Sequence, residues 1–119
     1  MLTLPIKKKW FDMILSGEKK EEYREIKPYY ATRFKGVFEM YPYSYIPVGN
    51  DIQEIKFRNG YGNNRPEFIA KCSLDINTGK QEWGAEADKE YYVLQMHEIL
   101  EEGKHDERRN IADSQAGSV

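Results

Sequence analysis

Three charged side chains whose spacing permits joint chemistry lie in the stretch from Gly17 to Arg24. The stretch follows a helical pattern and has the character of a strand, along which side chains alternate between two faces. Glu22 and Arg24 would then share one face. Lys19, at the turn into the strand, reaches over that face on its long stem. Two cations beside a carboxylate can contact phosphate or a base edge; the alternative for the same residues is a salt-bridged strut.

Other candidate ligand contacts lie outside this stretch. Lys7 opens a run of three lysines and is either a phosphate contact or part of a solvated helix start. Arg58 precedes the loop of residues 59–66, which opens with Asn-Gly, and Tyr61 lies within it. The loop is either a plain hairpin turn or a flexible segment that closes over a ligand. Residues 41–45 hold three alternating tyrosines, which suit packing at a barrel rim or the stacking of bases.

Hydrophobic periodicity predicts the elements that position these residues. Residues 2–6 alternate as a short edge strand does. Residues 8–16 repeat apolar side chains at helical spacing. Gly17 ends that helix, because glycine takes a left-handed cap without strain. Pro28 suits the first turn of a second helix near residues 28–34.

The second half of the chain predicts strands. Residues 68–76 alternate without a break, with Cys72 on the apolar face as a buried, inert thiol. The last strand, residues 91–100, is predicted to turn four side chains to one face and Ile99 to the other: Tyr92, Leu94, Met96 and Leu100. The prediction is an α+β domain over residues 1–100, a small β-barrel of about five to six strands with two helices, followed by a charged, flexible tail at 101–119.

Composition limits the classes of function. The net charge is −2, which argues against tight, sequence-blind binding of nucleic acid. Residues 1–36 nevertheless hold nine Lys or Arg against five Asp or Glu, which indicates either a positive surface beside Lys19 or chance clustering on a solvated surface. One cysteine and two distant histidines predict no disulfide and no metal site. Without a long apolar run or a basic leader, we expect a cytoplasmic protein with no membrane contact and no cofactor.

The spacing Gly17-x-Lys19-x-x-Glu22-x-Arg24 resembles the signature of the ASCH domain, a small β-barrel related to the PUA RNA-binding domains. The resemblance covers roughly residues 1–100 and looks closest to the compact single-domain versions of bacteria and their phages. It continues through three further segments: Ile26-Lys27-Pro28-Tyr29-Tyr30, Trp83-Gly84 and Tyr91-Tyr92-Val93-Leu94.

The resemblance implies a PUA-like barrel that binds RNA or a nucleotide in a cleft lined by the signature residues. The resemblance and the residues above together suggest six ligand contacts: Lys7, Lys19, Glu22, Arg24, Arg58 and Tyr61. Gly17 belongs to the same signature as a structural residue. A basic residue near Lys7 also fits the family. A monomer is favoured, with the oligomeric state left open.

Two alternatives stay open at this point. Some small ASCH proteins hydrolyse the acetyl amide of acetylcytidine nucleosides, and ribonuclease activity is also associated with the family. The deacetylating members carry Gly-x-Lys-x-x-Thr, so Lys19 matches their lysine and Glu22 stands in place of the threonine. These two residues are the catalytic candidates of a metal-independent hydrolase, whose further glutamate is undecided among Glu54, Glu67 and Glu82. The other alternative is a protein-interaction or regulatory domain that uses the barrel as a scaffold.

Overall fold

A computed structural model of the chain describes residues 1–103. Five strands, two helices and a short 3₁₀ turn follow in this order: β1 (Thr3–Ile6), α1 (Lys8–Leu15), β2 (Glu21–Arg24), α2 (Pro28–Lys35), β3 (Gln53–Asn59), β4 (Glu67–Thr78), the turn Gln81–Trp83 and β5 (Glu90–Gly103). Both helices begin and end within one residue of their predicted bounds. The last strand continues to Gly103, and the rest of the predicted tail, residues 104–119, lies outside the described residues.

The five strands form one curled, half-barrel sheet in the order β1-β3-β4-β5-β2. β1 runs parallel to β3, and the other neighbours are antiparallel. The sheet and the two helices make a small barrel-like α+β fold, as predicted. Since β1 and β2 are the two edges, the open side of the half-barrel lies between them. We call this opening the seam.

Aromatic side chains fill the concave side of the sheet. α1 turns Phe11 inward against Phe68 of β4, with ring centroids 5.0 Å apart. α2 turns Phe34 inward against Tyr92 of β5, at 5.2 Å. Each of these rings is at most 4% exposed, and burying such a side chain contributes roughly 1.5–3 kcal/mol. The two helices are therefore fixed to the concave side of the sheet.

The faces predicted for the end of the last strand differ from those observed, because the β4–β5 pairing has two irregularities. Cys72 pairs with Met96, but Ala70 pairs with Ile99, because the register shifts between them. A β-bulge adds a residue to one strand and reverses the inward and outward order beyond it. Ile99 consequently packs against the core, whereas Leu100 is 40% exposed. The prediction was wrong for both residues, since strict alternation cannot foresee a bulge.

Cys72 is fully buried, as predicted, with its sulfur 3.6 Å from the sulfur of Met96. Burial raises the pKa of the Cys72 thiol to about 12, so the reactive thiolate is scarce at neutral pH.

The tyrosine segment between α2 and β3 is a tight turn. A bridge between Met40 and Pro47 closes it, and Tyr43 takes a left-handed backbone conformation with φ of 58°. The tyrosines therefore do not form the one-sided row that an extended chain would give. Across residues 1–103, neither helix has the length and apolar character needed to cross a membrane.

Candidate functional site

A cleft of about 650 Å³ occupies the seam between β1 and β2. Its walls include five aromatic side chains: Trp10, Tyr23, Tyr30, Tyr61 and Tyr91. Glu22 and Arg24 lie at its floor, and Lys7 and Lys27 contribute to its rim. The cleft thus combines flat apolar surfaces with a small number of charged groups, as small-molecule sites do.

The backbone of each edge strand explains why the seam stays open. The carbonyl of Leu2 accepts a hydrogen bond from Lys56 of β3 and that of Ile6 from Gly60, just after β3, so alternation turns the backbone of Pro5 toward the seam. Proline has no N–H to donate and suits a sheet edge. On the other side, Lys20 accepts from Met96 of β5, and alternation turns the backbone of Tyr23 toward the seam.

A side-chain network spans the seam in place of a backbone ladder. The Arg24 guanidinium donates through Nε and Nη2 to Oε2 of Glu22, at 3.2 and 2.8 Å. Nη2 also donates to the carbonyl oxygen of Pro5 at 2.8 Å. The guanidinium carbon lies 5.6 Å from the centre of the Tyr30 ring. Arg24 is therefore held in one orientation, with its planar group against an aromatic wall.

Lys19 is buried behind the cleft wall, with 1% of the residue exposed. Its Nζ donates to the carbonyl oxygen of Trp83 at 2.5 Å and lies 3.3 Å from Oε1 of Glu22. The rings of Trp10 and Tyr23 lie on either flank, 4.7 and 4.9 Å from Nζ to their centres. Burial lowers the pKa of Lys19, and the charge of Glu22 opposes that shift.

The helix cap at Gly17 fixes the position from which the Lys19 side chain extends between Trp10 and Tyr23. Gly17 has a φ of +85°, which confirms the predicted left-handed cap. Its N–H donates to the carbonyl of Ile14, and the N–H of Lys19 donates to the carbonyl of Met13 at 2.9 Å. The end of α1 therefore holds the backbone of Lys19 directly, and this bond fixes the starting point of the side chain that carries the ammonium.

Two glycines in the β4–β5 connection support the aromatic walls. A Cβ on Gly79 would lie 2.6 Å from the Tyr23 ring, and one on Gly84 would lie 3.0 Å from the Trp10 ring. The Tyr23 hydroxyl accepts a hydrogen bond from the N–H of Lys80 at 2.9 Å and donates to Glu21 at 2.7 Å. Burial is the main cause of a raised Tyr23 pKa. The Tyr23 and Trp10 rings therefore pack against the backbone at Gly79 and Gly84, where a larger side chain does not fit.

The predicted site residues divide into two groups. Four line the cleft: Lys7, Glu22, Arg24 and Tyr61. Lys19 lies behind the wall, and Arg58 pairs with Glu67 at 2.7 Å and is not among the lining residues. Tyr61 is 83% exposed on the predicted glycine-bearing loop, and Arg65 donates to its carbonyl at 3.2 Å.

Sequence reasoning missed four of the five aromatic cleft residues: Trp10, Tyr23, Tyr30 and Tyr91. Trp10 belongs to the apolar stripe of residues 8–16, yet it is only half-buried and lines the cleft. The sequence did point to Tyr30, because it ends the segment of residues 26–30, through which the resemblance to the ASCH domain continues.

A second and larger cavity, of about 890 Å³, is lined by residues that include Glu54, Lys71 and His97. Of the predicted candidates it contains Glu54 alone, one of the three glutamates considered for a hydrolase, and none of the ligand contacts. Among residues 1–103, no three His, Cys, Asp or Glu side chains form a group suited to a metal ion. No family model, curated protein or solved structure matches the chain.

Proposed function

We propose that the cleft in the seam binds a nucleotide, either free or within RNA. The observation that carries this proposal is the enclosure of one buried guanidinium–carboxylate pair, Arg24 and Glu22, by aromatic rings. Aromatic rings stack on bases of any sequence, while a guanidinium and a carboxylate can pair with the polar edge of a base. The cleft volume of about 650 Å³ also falls within the usual range of ligand sites, about 300–1,000 Å³.

Each charged residue has a distinct role in this proposal. Lys7 and Lys27 are exposed at the rim and would contact phosphate. Glu22 would accept from a base amino group, and Arg24 would donate to a base acceptor. Lys19 holds Glu22 from behind through its 3.3 Å contact and acts as a positioning residue.

The same proposal includes membership of the ASCH family and a PUA-like barrel. The half-barrel with its two helices and the Gly17 cap support it. The location of the Lys19, Glu22 and Arg24 spacing at the floor and back of one cleft supports it further.

Calorimetric titration of the full chain with the four nucleoside monophosphates and with short RNAs tests the proposal. Replacing a stacking ring typically removes about 1–3 kcal/mol per base, so Tyr61→Ala should weaken binding by about tenfold. Lys7→Ala should weaken binding and reduce its salt dependence, since a phosphate contact releases counterions. Lys8→Ala is the matched control, because the adjacent lysine is exposed and pairs with Asp12 away from the cleft.

An outcome in which no nucleotide or RNA binds at millimolar concentration would overturn the proposal. Equal effects of Lys7→Ala and Lys8→Ala would show that general surface charge, and not the cleft, holds the ligand.

A hydrolase of modified nucleosides is the second candidate, and one observation favours it. Burial lowers the pKa of Lys19, which increases the fraction of neutral amine that can act as a general base. For this role Lys19 must reach the ligand past the rings of Trp10 and Tyr23. Incubation with acetylcytidine tests it: release of acetate by the natural chain, lost in Lys19→Met, would favour hydrolysis over simple binding.

A further inference from the structure

A second stack of a cation on an aromatic ring lies on α2, immediately outside the cleft. The guanidinium carbon of Arg33 lies 3.5 Å from the centre of the Tyr29 ring. Nη1 of Arg33 also donates to the carbonyl oxygen of Tyr29 at 2.9 Å. The backbone bond and the ring contact act together, so the guanidinium is ordered over the ring before any ligand arrives.

This stack continues directly from the cleft wall. The Tyr29 ring meets the Tyr30 ring edge to face, with centroids 5.0 Å apart and planes at 86°. Tyr30 lines the cleft and packs on Arg24 at its floor. Arg24, Tyr30, Tyr29 and Arg33 therefore form one row that leads out of the cleft along α2. We call these four residues the α2 row.

The outer half of the row is not explained by packing of the core. α2 is fixed to the sheet through Ala31 and Phe34, which are at most 6% exposed. Tyr29, by contrast, is 55% exposed, and Arg33 is exposed beside it. A solvent-facing ring with an ordered guanidinium on one face offers a flat, positively charged surface.

We propose that the α2 row binds a second nucleotide, so that the ligand of the cleft is a single-stranded nucleic acid and not a free nucleotide. This proposal rests on the proposed function of the cleft. Tyr29 is 55% exposed although Arg33 covers one face of its ring, so a base next to the one in the cleft can stack on the uncovered part of the ring or on the Arg33 plane.

Two cations lie beside the row, of which Lys27 is paired with the exposed carboxylate of Glu25 at 3.2 Å and would exchange that partner for a phosphate. Lys27 lies at the cap of α2, where its ammonium is 5.7 Å from the centre of the Tyr30 ring. Arg33 lies almost two turns further along the same helix. A strand that leaves the cleft over Tyr30 and Tyr29 thus passes two cations, and arginine planes stack on bases as aromatic rings do.

Affinities for ligands of two lengths test this proposal. The full chain is titrated with each nucleoside monophosphate and with a mixed-sequence pentanucleotide, as RNA and as DNA of the same sequence. The pentanucleotide should bind about tenfold tighter or more than the best monophosphate, because another base is stacked. Arg33→Met and Tyr29→Leu should each lower pentanucleotide affinity by about five- to thirtyfold and leave monophosphate affinity unchanged.

Lys71→Met is the matched control for Arg33→Met. It removes one half-exposed cation that lines the other cavity, so both affinities should persist. Thermal unfolding of every variant shows whether α2 is intact. The RNA and DNA arms show whether the strand is read through its 2′-hydroxyls.

Three results would overturn the α2 row as a binding surface. The first is equal affinity for a monophosphate and a pentanucleotide, which leaves the cleft proposal standing. The second is a pentanucleotide advantage that both α2 variants retain, which places the strand elsewhere. The third is an absence of binding at either length, which overturns the cleft proposal as well.

Discussion

Arg24 Nη2 donates to the carbonyl oxygen of Pro5 across 2.8 Å, and this bond links the two edge strands of the half-barrel. The same nitrogen also donates to Glu22 at 2.8 Å. The buried Arg24 guanidinium therefore joins the two edge strands and also holds Glu22 at the cleft floor.

Arg24→Ala should destabilise the fold by about 3–5 kcal/mol, because it leaves the buried Glu22 carboxylate without its closest partner. Urea denaturation measures this loss. Arg65→Ala is the control: it removes an exposed arginine that donates to the Tyr61 carbonyl, and exposed groups of this kind contribute little. An unchanged midpoint for Arg24→Ala would show that the seam is held by other contacts.

Lys19 should make the stability of the protein rise with pH in the alkaline range. Its folded pKa lies below the ordinary lysine value of about 10.4. Between these two values the unfolded chain binds more protons than the folded chain, so stability increases with pH. Lys19→Met keeps an apolar stem between Trp10 and Tyr23 and should remove that rise. The free energy of unfolding, measured from pH 7 to pH 10 in both proteins, gives the difference.

Two features make the pH experiment specific to Lys19. The raised pKa of Tyr23 acts in the opposite direction, since the folded state then retains a proton that the unfolded state loses above about pH 10. That contribution is shared by both proteins and largely cancels in the difference. Lys20→Met, at an exposed neighbour, should behave as the natural chain does. Parallel pH curves for the natural chain and Lys19→Met would contradict the prediction.

Gly79→Ala should destabilise the fold by about 1–3 kcal/mol, the usual result of overpacking. The added Cβ would lie 2.6 Å from the Tyr23 ring and 2.8 Å from the Cβ of Ala85. Nucleotide affinity should fall too, since Tyr23 is part of the cleft wall. Thermal unfolding and titration measure the two effects. In the control Gly36→Ala, the nearest atom to the new Cβ is at an ordinary 3.4 Å, so a similar loss there would remove the packing explanation.

Truncation after Gly103 should leave the melting temperature within a few degrees of its full-length value. β5 pairs with β4 as far as Gly103, opposite Glu67, so this cut keeps the described pairing. Truncation after Glu98 should lower the melting temperature much further, because it removes the inward-facing Ile99 and uncovers the start of β4. Equal melting temperatures for the two truncated chains would contradict the assigned role of Ile99.

Local patterns in the sequence predicted most of the fold. The Gly17 cap, both helices and the alternation of β4 follow from the identity and spacing of neighbouring residues. The shared face of Glu22 and Arg24 follows in the same way, from strand period alone. Each of these features is decided within about ten residues of chain.

The site was predicted less completely, because its key contacts join distant parts of the chain. Lys19 donates to Trp83, 64 residues away, and nothing in either segment indicates that pairing. The spacing identified Lys19 as part of a charged group but could not show that its ammonium is enclosed. The bulge that turns Ile99 inward likewise arises from pairing with β4 and leaves no mark in the strand's own pattern.

The missing backbone ladder at the seam gives the cleft a mechanical property. Neighbouring strands elsewhere in the sheet are tied by repeated main-chain bonds, whereas the facing edges at Pro5 and Tyr23 are tied through the Arg24 side chain. Widening the cleft would therefore strain the Arg24 contact with Pro5 and leave the register of the neighbouring strands unchanged. In the proposed function, the seam would let the width of the cleft adjust to a purine or a pyrimidine while the core keeps its packing.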